Sequence, residues 1–294
     1  MKGGKFEQDY VRIASFIYLR DFKDKFNHDT SGVLFNKYLT LLNRDLKNQK
    51  GVDIKLAHCW YRWGDVVVRQ DLNYLQWTHS DLSCTEVSYK DDEPNYLSSD
   101  PVVRFIRSYS KKFIERFGDD KEGVETAVDE VYQQAPLDFQ RDYRVLRESL
   151  KISKSNVPYD NYQEYLSTLF KKAMSSFPDN KFRNVKKQKD AFEAVFMHSL
   201  ESDVPNEGLF DMAEDFWFYF CYHLRLKYNE NVSQGIKNSW KSKIPLETSR
   251  YDASIQNYAY QYCRDSKDPA IIGLLKDRED RLKELDQLME GLDW

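Results

Sequence analysis

The sequence has little of what announces the common chemistries. Its four cysteines, Cys59, Cys84, Cys221 and Cys263, lie far apart and form no C-x-x-C pair. That spacing speaks against a zinc ribbon or a redox motif and leaves structural thiols. The 11 glycines are scattered, and neither G-x-x-x-x-G-K-[ST] nor G-x-G-x-x-G occurs, so the backbone loops that cradle nucleotide phosphates are missing. H-E-x-x-H and E-x-x-H are absent, which removes the helical anchors of zinc and di-iron sites. Without G-x-S-x-G there is no nucleophile elbow. No catalytic residue, metal ligand or cofactor is therefore expected. The longest aromatic run, FWFYFCYHL at 216–224, is too short to span a bilayer and reads as a buried helix. The opening MKGGKFEQDYVRIASF carries early acids and no uninterrupted apolar stretch, so a secretory leader is not expected; the expectation is a cytoplasmic protein with no membrane association. Nor is there an excess of positive charge. With 44 basic against 48 acidic residues, a net charge of -4, nucleic-acid binding requires a local patch.

What is present is helix. Hydrophobic content of 41% with 15% aromatic supports a globular chain with room for two domains. Tyr10, Ile13, Ala14, Ile17 and Phe22 share a helical face within 7–26. Asp29-Thr30-Ser31 then offers N-cap oxygens to a second helix, whose stripe is Leu34, Phe35, Tyr38, Leu41, Leu42 and Leu46, with Gly51 at its C-terminus. From Val52 the pattern shortens to β-branched and aromatic residues around Gly64, RQDLNYLQW recovers a helical look with a turn and a short helix both open, and 82–89 alternates imperfectly, as a β-ribbon or wing would. Beyond Pro101 the expectation is helices at 102–117, up to Tyr132, and at 138–150, 159–177, 185–200, 209–228, 249–264 and 269–292. The non-periodic KISKSNVP, 151–158, is the expected linker, dividing the chain into 1–150 and 151–294. The fold class is mainly α: an N-terminal winged-helix-like head with a small β-ribbon, then a multi-helix bundle.

Two clusters are candidates for function. Between 37 and 69, basic residues including Lys37, Arg44, Lys47, Arg62 and Arg69 outnumber acids, with Trp60 and Trp63 interleaved. Such a face suits a protein partner or DNA phosphates, although the same aromatics would serve equally as core. The acids from Asp71 to Glu93 would repel a duplex and favour a protein partner. The second cluster is Asp211, Glu214 and Asp215 ahead of His223. Asp211 and Asp215, at i and i+4, face one way and could hold a hard cation, while acids in the first turns of a helix also favour its macrodipole. The basic run KFRNVKKQK is a solvated surface or a phosphate patch. Leu275, Leu282, Leu285, Leu288 and Leu292 line the last helix among charges of both signs, a stripe for packing or homo-oligomer formation.

KYLTLLNRDL followed by YRWGDVVVRQDL resembles the opening of SocA-like Panacea-domain proteins, a Lys-led, Leu-rich helix and then an aromatic Gly turn before a Val-rich step. The resemblance covers about a quarter of the chain, and here Gly64 is followed by Asp65, where that family commonly has Pro. It implies a helical, winged-helix-like regulatory fold without catalytic residues, acting as an antitoxin or an adaptor, with Lys37, Tyr61 and Gly64 as structural positions. The expected function is a non-enzymatic regulatory or adaptor protein that binds a protein partner, with DNA contact as a secondary mode. The alternative is a metal-dependent nuclease or hydrolase whose carboxylates come from separate helices. The expected partner-binding residues are Lys37, Arg44, Lys47, Trp60, Arg62, Trp63 and Arg69.

Overall fold

The computed structural model describes residues 9–79, 85–118, 120–155, 161–202 and 204–290. The chain is mainly helical, with two small antiparallel sheets of three strands each among the described residues. It divides into two compact units, one of 1–135 with 225–237 and the other of 136–224 with 238–294.

Unit 1 is built on α1 (Tyr10–Phe26) and α2 (Gly32–Lys50). The Ser31 side chain accepts from Leu34 N and caps α2, and Gly51 ends it at φ 65, a left-handed residue closing the helix as anticipated. Their apolar stripes meet around Tyr18 and Tyr38, stacked at 4.1 Å, with the Phe113 ring edge-on to both. Phe113 belongs to α3 (Pro101–Phe117), which Asp100 caps and Pro101 opens. β1 (Thr30–Ser31), β4 (Leu75–His79) and β5 (Thr85–Tyr89) form one sheet in the order β1-β5-β4. The expected ribbon is thus the β4–β5 pair, while residues 82–84 of the alternating stretch lie outside the described residues. Of the turn and short helix open at RQDLNYLQW, a 3-10 turn forms at Arg69–Asp71, while the rest of the stretch departs from the helical look and enters strand β4. Leu75 and Trp77 pair with Tyr89 and Val87, and Trp77 packs edge-on against Phe35. The ladder and its packing override a weak local preference.

The second sheet, β3-β2-β6, joins β2 (His58–Tyr61) and β3 (Gly64–Val67) to β6 (Asn229–Glu230), which enters from far down the chain. α4 (Lys121–Tyr132) completes unit 1, packing its Val131 and Tyr132 against Gly64.

Unit 2 holds α5 (Asp138–Ser155), α6 (Tyr162–Ser175) and α7 (Lys186–Glu201), and most of α8 (Asn206–Lys227), α9 (Gln234–Tyr262) and all of α10 (Pro269–Glu290). α8 is buried nearly all round in its middle, as its composition anticipates. Phe192 stacks on Phe216 at 4.5 Å, Phe170 on Phe196 at 4.3 Å, and Tyr143 on Trp217 at 5.4 Å. The division into units falls at Ala135/Pro136, ahead of the 150/151 position read from KISKSNVP, whose first residues continue α5 to Ser155. α9 is also longer than expected: it begins at Gln234 and carries Pro245 inside. Its first half is mostly exposed, with a narrow stripe of Ile236, Trp240 and Ile244 at i, i+4 and i+8 that the expected start at 249 left out. Cys59, Cys221 and Cys263 are buried thiols outside any disulfide, and burial pushes the Cys59 thiol up to about 12. Among the described residues no helix is long and apolar enough to cross a membrane.

Candidate functional site

The β2–β3 hairpin organises the candidate surface. Tyr61 pairs with Gly64, leaving Arg62 and Trp63 as the turn, and the left-handed conformation falls on Gly64 at φ 87. A Cβ there would lie 3.1 Å from Tyr132 Cε2 and 3.2 Å from Val131 Cγ1. Glycine therefore serves both the backbone and the close approach of α4. Tyr132 OH donates to Arg62 O at 3.3 Å, and its ring sits edge-on to Trp60. The turn is braced from behind, while Trp63 stands 41% exposed with the Arg62 guanidinium 5.5 Å from its ring centre.

Beside the hairpin lies a cleft of about 220 Å³, bordered by Arg44 and Lys47 of α2, His58 and Trp60 of β2, Asp65 of β3 and Glu230 of β6. Each of these charges lies beside one of opposite sign. His58 Nδ1 is 2.7 Å from Asp65 Oδ1 and its Nε2 is 3.4 Å from Glu230 Oε2. Burial disfavours the imidazolium, but the Asp65 hydrogen bond and the charges of Asp65 and Glu230 outweigh it and hold His58 above the ordinary histidine value. Lys47 Nζ donates to Glu230 Oε2 at 2.8 Å and lies 3.6 Å from Asp53. The Lys47 bond, aided by the His58 charge, keeps the Glu230 carboxyl below its usual range. Arg44 bonds Asp45 at 2.8 Å and Glu130 at 3.3 Å. Lys37 is fully buried, its Nζ donating to the Asp65 carbonyl at 2.7 Å.

The seven expected residues thus separate. Arg44, Lys47 and Trp60 meet in the cleft, and Lys37 is a buried brace beneath β3. Arg62 and Trp63 form the hairpin tip, and the Arg69 guanidinium lies 3.6 Å from the Trp77 ring centre. Nothing in the local sequence pattern assigns a partner to His58; in the fold Asp65 and Glu230 are its partners. Glu230 could not be anticipated, because nothing local ties it to a helix 183 residues earlier.

In unit 2 the acidic run disperses. Glu214 pairs with the buried Arg147 at 2.5 Å, and Asp215 Oδ2 accepts from Ser254 Oγ at 2.5 Å and Tyr258 OH at 3.1 Å. Among the described residues no group of three or more His, Cys, Asp or Glu side chains gathers as a metal site. His223 is buried, its Nδ1 2.9 Å from Asn184 Nδ2, and burial pushes it down to about 4. The basic run is partly paired, Lys186 with Asp190 and Lys189 with Glu193. In α10, Ile271 and Leu274 are buried while Leu282 and Leu285 are exposed. No family model, no curated protein and no solved structure matches the chain.

Proposed function

We propose that the chain is a non-enzymatic, cytoplasmic adaptor or regulatory protein that grips a protein partner through the β2–β3 hairpin tip of unit 1. The observation that carries this is Trp63, a large aromatic held outward on a turn braced from behind by Gly64 and Tyr132. A rigid exposed indole is the kind of anchor that dominates protein interfaces, because little conformational entropy is lost on docking. A protein is favoured over a duplex by the state of the basic residues. Lys37 is buried, Arg44 and Lys47 are engaged by carboxylates, and Arg69 lies against Trp77, so they offer few free charges to phosphates. The winged-helix-like reading of the head and its likeness to SocA-like Panacea-domain proteins belong to this proposal. Lys37 and Gly64, both singled out by that likeness, act here as braces of the hairpin.

The test is co-purification from native cells with the wild-type chain and Trp63→Ala, alongside a DNA mobility-shift titration. The expected result is a stoichiometric protein partner that Trp63→Ala loses, with no salt-sensitive DNA binding. A partner retained by Trp63→Ala, or DNA binding lost with Arg44→Ala, would overturn the reading. Self-association through α10 is proposed separately on the exposed Leu282 and Leu285; a mass in solution unchanged by Leu282→Lys with Leu285→Lys would count against it.

A further inference from the structure

The two sheets of unit 1 treat their edges differently. In β3-β2-β6 the outward backbone groups of β3 are taken by α2: Asn36 Oδ1 accepts from Val67 N at 2.8 Å, and Lys37 Nζ donates to Asp65 O at 2.7 Å. β1 and β6 are only two residues long. β4 is a five-residue strand at the end of β1-β5-β4. Lys90 N donates to Tyr74 O at 3.1 Å, in the register that continues through Gln76 with Ser88 and Thr78 with Glu86. Alternate residues of an antiparallel strand turn their backbone groups to opposite sides. Trp77 therefore directs its N–H and C=O away from β5, and among the described residues nothing bonds them. Gln76 and Thr78 are exposed, and the strand has neither the lysine nor the proline that commonly blocks an edge.

Arg69 lies beside this edge, exposed, with its guanidinium 3.6 Å from the Trp77 ring centre. Among the described residues no carboxylate pairs with it, and desolvation holds it below the usual arginine value. A guanidinium against a ring keeps N–H donors at its rim for a carboxylate. On the opposite face Glu86 stands across from Thr78, so an added acid is favoured on the Trp77 side and repelled on the other.

We propose that the open edge of β4 takes an extended peptide segment as a further antiparallel strand, with an acidic side chain of that segment opposite Trp77 and against Arg69. Its main chain satisfies Trp77 N–H and C=O, and the Arg69 charge sets the register. This surface is separate from the hairpin tip and does not depend on it. Calorimetric titration of the full chain with acetyl-TSTETST-amide tests this at fixed ionic strength. Saturable binding is expected, weakened about threefold when Gln replaces the peptide's Glu, as for an exposed ion pair. N-methylation of the Glu nitrogen removes the donor to Trp77 O and should weaken binding about tenfold or more. On Arg69→Gln, with folding checked by circular dichroism, the Glu and Gln peptides should bind alike, whereas Trp63→Ala should bind as wild type does. The proposal is overturned if the Glu peptide does not saturate, if the N-methylated peptide binds as well, if folded Arg69→Gln still prefers Glu, or if Trp63→Ala abolishes binding. A chain that self-associates on sizing and takes up no peptide would give the edge to a second copy and equally overturn it. Should Arg69→Gln unfold, the three peptides on the wild-type chain still decide.

Discussion

Replacing Gly64 with Ala tests whether the hairpin is held as rigidly as its geometry implies. At φ 87 a side chain meets the left-handed penalty, and its Cβ would press on Tyr132 and Val131 at 3.1 and 3.2 Å. The conformational cost is about 1–2 kcal/mol, and overpacking a well-filled contact adds about 1–3 kcal/mol. Gly51 and Gly235 separate the two effects. Gly51 has φ 65, and a methyl group there would meet nothing within 4 Å, so Gly51→Ala should lose only the conformational part, about 1–2 kcal/mol. Gly235 lies within α9, has no positive φ and also meets nothing, so Gly235→Ala should be neutral or stabilising by up to about 1 kcal/mol. Urea unfolding followed by tryptophan fluorescence and by circular dichroism gives the order directly. Gly64→Ala should be the most damaging of the three. A Gly64→Ala loss equal to that of Gly51→Ala would refute the close packing of α4 on the turn.

His58, held above its ordinary value, contributes stability that is fully present below about pH 6.5 and is lost as the pH rises through its higher folded value. His58→Gln should flatten the fall in stability above pH 6.5 measured by urea unfolding; an unchanged profile would contradict the pairing with Asp65 and Glu230. His223, pushed down to about 4 by burial, acts in the opposite sense. Stability should fall as the pH drops from about 6.5 towards 4, and His223→Phe should remove that slope. The buried Arg147 pairs with the partly exposed Glu214 in unit 2, so Arg147→Ala should cost about 1.5–3 kcal/mol, the range for a hydrogen bond to a charged group. Lys283→Ala, which breaks an exposed pair with Asp280, should be nearly silent in the same unfolding assay.

What could be read in the sequence was whatever local chemistry dictates. Ser31 and Gly51 mark the ends of α2 because a hydroxyl capping Leu34 N and a left-handed closing residue are short-range needs. α8 was legible because a helix apolar on every side has to be buried. β4 was not, since Leu75 and Trp77 become a strand only by pairing with Tyr89 and Val87. The first half of α9 offers only the narrow stripe Ile236, Trp240 and Ile244 ahead of Pro245, a residue that reads as a helix boundary, and the break at Ala135/Pro136 follows from which helices pack together more than from any linker composition. The same holds at the candidate surface. Basic and aromatic residues on 37–69 were visible, but their engagement was not, because Glu130 and Glu230 arrive from distant elements to pair with Arg44, Lys47 and His58. That engagement turned a basic patch into a largely neutralised cleft and left Trp63 as the prominent exposed group on the hairpin.

Photocrosslinking from the hairpin tip reads out whether a protein docks on Trp63. A benzophenone group placed at position 62, next to an intact Trp63, and irradiated in native cells should yield one dominant protein adduct. That adduct should disappear when Trp63→Ala is added. Crosslinks into nucleic acid, or the same protein adduct with and without Trp63, would rule out docking of a protein on the indole.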